Sequence, residues 1–505
     1  MPDTLPPDWH ADLAPEAVLR PGALAWLRGW LARQGDGADL LYGDEDRLDG
    51  AGRRHAPWFK PGWVPESFWS TPWLGSGSFW RISWLQCHGL WPPPSSGASG
   101  AAGSVAAGSG AAGGGGPDGL AQWQWQLRAL EQRPRLAHLP RILIHRRTGD
   151  ASGMPGGIGA LPTATLAAAL ADHLRRSGEG PVLVQPLPAL TSTAGTTSGS
   201  AATEEPRFGL SWAVPPTWRM SVVVLSRDRP DLLQRCLSSV EANAAVARRR
   251  GLDLEWILVD NGSRLEATAA LLHHWRQRPG SRLHVLPLDQ PFNWSLLNNR
   301  AAATSRAELL LFLNNDIEAP APSSGSDWLA VMVGQALRPA IGAVGARLLY
   351  RDGSLQHAGL LPPLGQGCEH PYRHLSPTRL PHRGRAGFLT GWPAVTGACL
   401  MVRRTLWQRS GGFDPALPVE GNDVDFCLRL GHLGLRHVVC PEATLLHHEG
   451  ASRDLSRSAT WGPAQALLQR RWPGAMAQAA PWWPRACSLE TTDGRPRELA
   501  GRGWP

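Results

Sequence analysis

Five short stretches of this 505-residue chain gather side chains able to do chemistry. Asp260 lies in VDNGS (259–263), Asn293 in PFNWSLLNN (291–299), and Asp316 closes the polar tip of LLLFLNNDIEAP (309–320). Asp423 and Asp425 follow Glu420 in VEGNDVDF (419–426), and ATLLHHEGASR (443–453) adds His447, His448, Glu449 and Arg453. A carboxylate delivered at the end of an apolar run suits a hard divalent cation. Mg²⁺ or Mn²⁺ takes one or two protein carboxylates and fills its other positions with water and substrate phosphate. At Asp316 such an ion would neutralise a departing diphosphate. Asp423 has the character of a general base placed to accept a hydroxyl proton. Each residue also has a structural reading. Asp260 suits a turn before Asn-Gly, Asn293 and Asp423 suit helix caps, and a His pair is no zinc motif by itself. Their co-occurrence is what favours a site.

The elements that must position them alternate regularly. SVVVLS (221–226), EWILVD (255–260), RLHVLPL (282–288) and ELLLFLN (308–314) read as strands. Helical patterns fill Asp231–Ala247, Leu265–Arg278 and Ser295–Thr304 between them. Strands apolar on both faces and separated by helices predict a mostly parallel α/β sheet flanked by helices. Such sheets bind ligands at the carboxyl ends of their strands, where Asp260, Asn293 and Asp316 fall. A dinucleotide-binding sheet would need Gly-x-Gly-x-x-Gly after the first strand, where this chain has Ser226-Arg227-Asp228-Arg229-Pro230. Without those glycines a pyrophosphate has no close backbone approach, which argues against a nicotinamide enzyme.

Composition narrows the partners. The net charge of +8 is a mild basic excess, compatible with a phosphorylated small molecule or an anionic membrane surface. No basic stripe with interleaved aromatics stands out, so nucleic acid is not expected. Tryptophan is the outlier, at 25 against 3 tyrosines, which supplies core fillers and platforms for sugar rings. Seven scattered cysteines without Cys-x-x-Cys suggest reduced, mostly buried thiols in a cytoplasmic protein. MPDTLPPDWHADLAPEAVLR has neither the basic start nor the apolar core of a signal peptide, and no stretch approaches the ~20 apolar residues that span a bilayer. Membrane contact is expected to be peripheral, at the inner face.

Residues from about 219 to 460 resemble an inverting family 2 glycosyltransferase of the GT-A fold, the group that builds bacterial surface polysaccharides. SVVVLSRDRPDLLQRCLSSV, WILVDNGS, PFNWSLLNNRAA with LLLFLNNDIEA, AVTGACLMVRRTLWQRSGGFDP and GNDVDFCLRLGHLGLRHVVCPEATLLHHEGASR carry the resemblance, in that order. It implies a nucleoside-diphosphate sugar donor and a glycan or lipid-linked acceptor. Asp316 matches the last acid of the family's metal-binding Asp-x-Asp, with Asn314 at the first position, and His448 matches a histidine that completes the Mg²⁺ or Mn²⁺ or diphosphate site. Donor contacts are expected from Ser226, Asp228, Asp260, Asn293, Asn298, Asn315 and Arg453. Asp423 falls where the family's Glu-Asp pair supplies the base, with Asn422 replacing Glu and Asp425 as a second candidate. Thr396 and Gly397 match the loop beneath the acceptor.

Residues 1–150 look like an incomplete second copy of such a domain. DLLYGDEDRLDGAGRRHAPWFKPGWVPESFW (39–69) and AHLPRILIHRR (137–147) carry that likeness, and Asp44, Glu45 and Asp46 form an acidic cluster without a complete donor site. Gly/Ala/Ser-rich 92–117 reads as a flexible insertion, and 191–206 as a flexible linker within a connecting region, 151–217. The catalytic domain is expected over 218–480, with a tail at 481–505. Two other functions stay open: a non-catalytic glycan-binding or scaffolding protein that retains the fold, and a metal-dependent phosphate-ester hydrolase. The second would need ligands for a further metal, and Asp316 has no such partner in its own motif.

Overall fold

The computed structural model describes residues 4–497 apart from 14–16, 35–36, 75–76, 95–118, 148–161, 188–205, 250, 323–326, 379 and 449–460. Most of the two low-complexity segments therefore lies outside the described residues, as does Arg453.

The chain adopts the α/β class. Its large sheet is built on Leu309–Asn314, in which Leu309 to Leu313 are all buried. A strand with no solvent face needs neighbours on both edges and helices on both faces. Trp218–Ser226 runs parallel to it on one edge, followed outward by Leu252–Asp260 and Leu283–Pro287, all parallel. Helices Pro230–Arg249, Glu266–Gln277 and Trp294–Thr304 connect these four strands. The carboxyl ends at Ser226, Asp260 and Asn314 consequently share one rim.

Beyond the other edge the sheet is mixed rather than parallel. Cys399–Arg403 is antiparallel to Leu309–Asn314, and Ile341–Leu349 is antiparallel to Cys399–Arg403. Arg436–His447 then runs parallel to Ile341–Leu349. The short strand Ile317–Glu318 pairs antiparallel with His447 and Leu446. That last pairing fixes Asp316 beside the histidines, with His448 N–H donating to Asp316 O at 2.9 Å.

The N-terminal sheet orders Trp9–Asp12, Ser78–Arg81, Leu40–Leu48, Leu136–Arg147 and Ala17–Leu19, with Arg54–Trp58 paired to Leu40–Leu48. Its acidic cluster is not an open site. Asp44 accepts from Lys60 N at 2.8 Å and meets His138 Nε2 at 2.9 Å. Glu45 accepts from Arg146 Nε at 2.9 Å, and Asp46 pairs with Arg54 and His145. Three carboxylates this deeply buried are tolerated only because each faces a cation or donor.

The described parts of the connecting region, 162–187 and 206–217, carry regular elements. Helix Thr163–Arg176 packs on helix Gly119–Glu131, and strand Val182–Leu187 pairs with Arg207–Trp212. The expected tail is also packed through residue 497, because Trp483 and Cys487 are buried and Tyr372 N–H donates to Thr492 O. No helix among the described residues is long and apolar enough to cross a membrane.

Glu66 joins the two halves. It is fully buried, 3.1 Å from Arg338 Nη2 and 2.7 Å from Arg436 Nη2. Burial pushes this carboxyl up, but the two guanidiniums more than offset that and hold it below its ordinary 4.5. Removing the charge leaves two cations facing an amide. Glu66→Gln is expected to cost about 3 kcal/mol at neutral pH, read by denaturant unfolding. The stabilisation is complete above pH 4.5 and is lost as pH falls through the depressed folded value, so variant and parent should converge in acid.

Candidate active site

The rim of the large sheet opens into a cavity of about 780 Å³. Ser226, Asn315 and Asp316 stand on the wall formed by the parallel strands, together with Arg227, Arg229 and Asn261. Thr396, Gly397, Glu420 and Asp423 stand on the wall formed by the loop before Cys399–Arg403 and the start of helix Asn422–His432. One wall thus offers cations and amides suited to phosphate. The other offers carboxylates suited to a hydroxyl proton.

Asp316 is 5% exposed, and its Oδ1 has no aligned hydrogen-bond donor although His447 Nε2 lies 3.2 Å away. Burial pushes this carboxyl up, and the adjacent His447 imidazole more than compensates, so Asp316 stays below the ordinary carboxylate range. His447 Nδ1 is likewise buried without a partner. An anionic oxygen and an imidazole side by side in a polar cavity fit a divalent cation whose remaining positions are filled by water and phosphate. Among the described residues no group of three His, Cys, Asp or Glu gathers for a metal, so the protein alone would hold such an ion incompletely.

The histidine assignment is corrected here. His448 turns away from the cavity, 2.8 Å from Glu318 Oε2, whereas His447 lines it. Neighbours in an extended segment point to opposite faces, so choosing between adjacent histidines is a question of parity.

Asp423 is placed by two glycines. Gly421 has φ +72 and begins the helix without a side-chain cap. Gly397 lies so close to Trp294 that a Cβ would come within 2.9 Å of the indole, and its N–H donates to Asp423 Oδ2 at 2.9 Å. Val424 N–H donates to Oδ1 at 2.8 Å. Despite these donors, burial raises the Asp423 carboxyl from 3.8 to about 6. A carboxyl poised there suits proton transfer near neutrality.

Asp425, the second candidate base, is a structural anchor. It is fully buried behind the cavity wall, accepting from Arg429 Nε at 2.8 Å, Arg471 Nη1 at 3.1 Å and Trp472 Nε1 at 3.0 Å. Asp425→Asn is therefore expected to lower the unfolding temperature measurably, by roughly 2 kcal/mol of stability, because two guanidiniums lose their anion.

Four expected donor contacts have other partners. Asn293 caps helix Trp294–Thr304, accepting from Leu296 N at 2.9 Å and donating to Pro415 O at 2.9 Å. Asn298 faces inward one turn later and donates to Trp294 O. Asp228 accepts from the backbone N–H groups of Arg264 and Leu265, tying down the loop after Leu252–Asp260. Asp260 accepts from Ser263 N in the same loop, and Asn261 beside it lines the cavity instead. Ser226 and Asn315 remain at the cavity, with Asn315 Nδ2 donating to Ser226 Oγ at 3.4 Å. Sequence reading gave no site role to Arg227, Asn261 or Trp294, and named Glu420 and His447 without assigning them one. The Arg-Asp-Arg run after the first strand was the available signal for a phosphate-facing cation.

Residues 221–408 match the family described as "Glycosyl transferase family 2". The O-antigen biosynthesis protein RfbC of Myxococcus xanthus is 36% identical over 451 residues, 88% of this chain and 31% of that protein. The N-acetylglucosaminyl-diphospho-decaprenol L-rhamnosyltransferase of Mycobacterium tuberculosis is 33% identical over 123 residues, 23% of this chain and 39% of that enzyme. The chain thus spans less than half the length of either relative. Among solved structures, the mannosyltransferase PcManGT from Pyrobaculum calidifontis is 19% identical and covers 47% of this chain and 59% of its own, with a TM-score of 0.34. The family match begins inside the first parallel strand and ends at Gln408, so it takes in Ser226, Asn315, Asp316, Thr396 and Gly397 but neither Asp423 nor His447.

Proposed function

We propose that this protein is an inverting, metal-dependent glycosyltransferase. It moves a sugar from a nucleoside-diphosphate donor to a hydroxyl of a glycan or lipid-linked acceptor in cell-surface polysaccharide synthesis. One observation carries the reading. A single cavity has a buried carboxylate–imidazole pair on its phosphate-suited wall and a partly buried carboxyl raised to about 6 on the other. The family match and the names of the relatives, one of O-antigen biosynthesis and one a rhamnosyltransferase acting on a lipid-linked substrate, support it.

In this mechanism Asp316 and His447 would hold Mg²⁺ or Mn²⁺, which when bound would supply positive charge for the diphosphate. Arg227, Ser226 and Asn315 orient the phosphates at the strand ends. Asp423, held by the Gly397 and Val424 amides, takes the acceptor hydroxyl proton as that oxygen attacks in line. One base suffices for inversion by direct displacement, because the leaving group needs charge neutralisation more than a proton. The protein would work in the cytoplasm, in peripheral contact with the inner membrane face. The decisive experiment presents a panel of nucleotide sugars with Mn²⁺, measuring thermal protection and slow donor hydrolysis. Protection and hydrolysis by one donor are expected. A non-catalytic glycan-binding protein would respond to glycan alone and hydrolyse none.

A further inference from the structure

At the junction of the N-terminal and C-terminal halves lies a second, very small cavity of about 10 Å³, roughly one water-sized centre. Its lining is unusual in what it offers. Arg385 is 2% exposed, and among the described residues no carboxylate pairs with it. Nη1 donates to Trp482 O, and the guanidinium lies 4.5 Å from the Trp392 ring centre, which covers one face. Nε and Nη2 are both buried without an aligned hydrogen-bond partner, the Tyr372 hydroxyl being the one polar side chain whose interaction favours the charged form. These two nitrogens form one edge of the guanidinium, the fork that ordinarily grips an anion with two parallel N–H groups. Trp73 lines the same cavity, and its indole Nε1 is also buried and unpartnered, on a residue 3% exposed. Ser67 and Thr71 add hydroxyls to the lining.

Three unmet donors, a whole positive charge and no opposing carboxylate make an arrangement that is costly unless something negative meets it. The space admits a monatomic ion and excludes phosphate, sulfate or a nucleotide. We propose that Arg385, Trp73 and the hydroxyls of Ser67 and Thr71 bind a small monovalent anion of the halide class, between the two halves of the protein. The ion completes an interface already joined by Ser70 Oγ donating to Leu389 O at 3.0 Å. It stands apart from the sugar-transfer cavity, and its failure would leave the proposed function untouched.

Thermal unfolding of the full chain tests the site at matched ionic strength, with sodium gluconate, too bulky for the cavity, replaced by sodium chloride or bromide. The halide should raise the unfolding temperature by about 2 °C or more. The rise should vanish in Arg385→Met and require several-fold more halide in Trp73→Phe, which keeps the ring and removes only the donor. Should Arg385→Met fail to fold, Trp73→Phe still decides. A bromide anomalous peak against the Arg385 fork in a crystal would support the site independently. Equal melting in gluconate and halide, which is the behaviour of a bound water, overturns it. So does a halide response undiminished in both variants.

Discussion

Asp423→Asn should abolish sugar transfer, by about 10²–10⁴-fold in kcat, while leaving donor affinity within a factor of about two. The substitution keeps the size and shape of the side chain and one oxygen to accept from either Gly397 N or Val424 N, at the cost of about one hydrogen bond where its NH2 meets the other N–H. Its main chemical effect is to remove the capacity to take a proton. The donor phosphates are expected at the opposite wall and should not register the change. The same substitution makes an opposite forecast for stability. Because burial raises Asp423 to about 6 from 3.8, the folded state holds its proton more tightly than the unfolded chain does. The contribution to stability is complete below pH 3.8 and is lost as pH rises through about 6. Above that, the parent carries a partly buried anion that the variant lacks. Asp423→Asn should therefore melt higher than the parent at pH 8, with the gap closing at pH 4. A catalytic base is destabilising where it works, whereas a helix cap would show the reverse. Parent activity should rise with pH through about 6, since only the ionised carboxylate accepts a proton. Full turnover by the variant removes Asp423 from the role of base.

The sequence was most legible where local pattern and burial coincide. The runs at 221–226, 255–260 and 309–314 are apolar on both faces, and a strand of that kind has few places to go other than the middle of a sheet. Their ends therefore identify the rim, and with it Ser226, Asn315 and Asp316. Thr396 and Gly397 also lie on the cavity. Reading failed where the answer depended on which way one residue points or on partners far along the chain. His447 and His448 differ only in parity. Asp425 looks as available as Asp423 until Arg471 and Trp472 arrive from a later helix and its end. Asn293 and Asn298 resemble ligand amides, but backbone groups consume both. Likewise, nothing near Glu66 announces Arg338 and Arg436, its counter-ions from the other half of the protein. The acidic run Asp44–Asp46 shows the same limit, because its neutralising cations come from both sides of an insertion.

The second large effect is expected at the other wall. Asp316→Ala should eliminate the increment that Mn²⁺ adds to donor binding, a loss of about 100-fold or more, measured by calorimetry with and without the ion. His447→Ala should weaken the same increment by about 10-fold. His448→Ala should leave it intact, because that imidazole is paired with Glu318 outside the cavity. The ordering of the three variants is more diagnostic than any one. Loss at His448 with retention at His447 would mean that the cation sits behind Ile317–Glu318 and not at the rim. An affinity independent of Mn²⁺ in the parent would shift the work of neutralising the diphosphate onto Arg227 and Arg229. Arg229 is already engaged by Asp231 at 3.0 Å, so Arg227, exposed on the same wall, would have to carry most of it. The two walls can then be tested separately. A variant at Asp316 should lose donor and turnover together, one at Asp423 turnover alone, and that asymmetry is what a site dividing phosphate from proton chemistry requires.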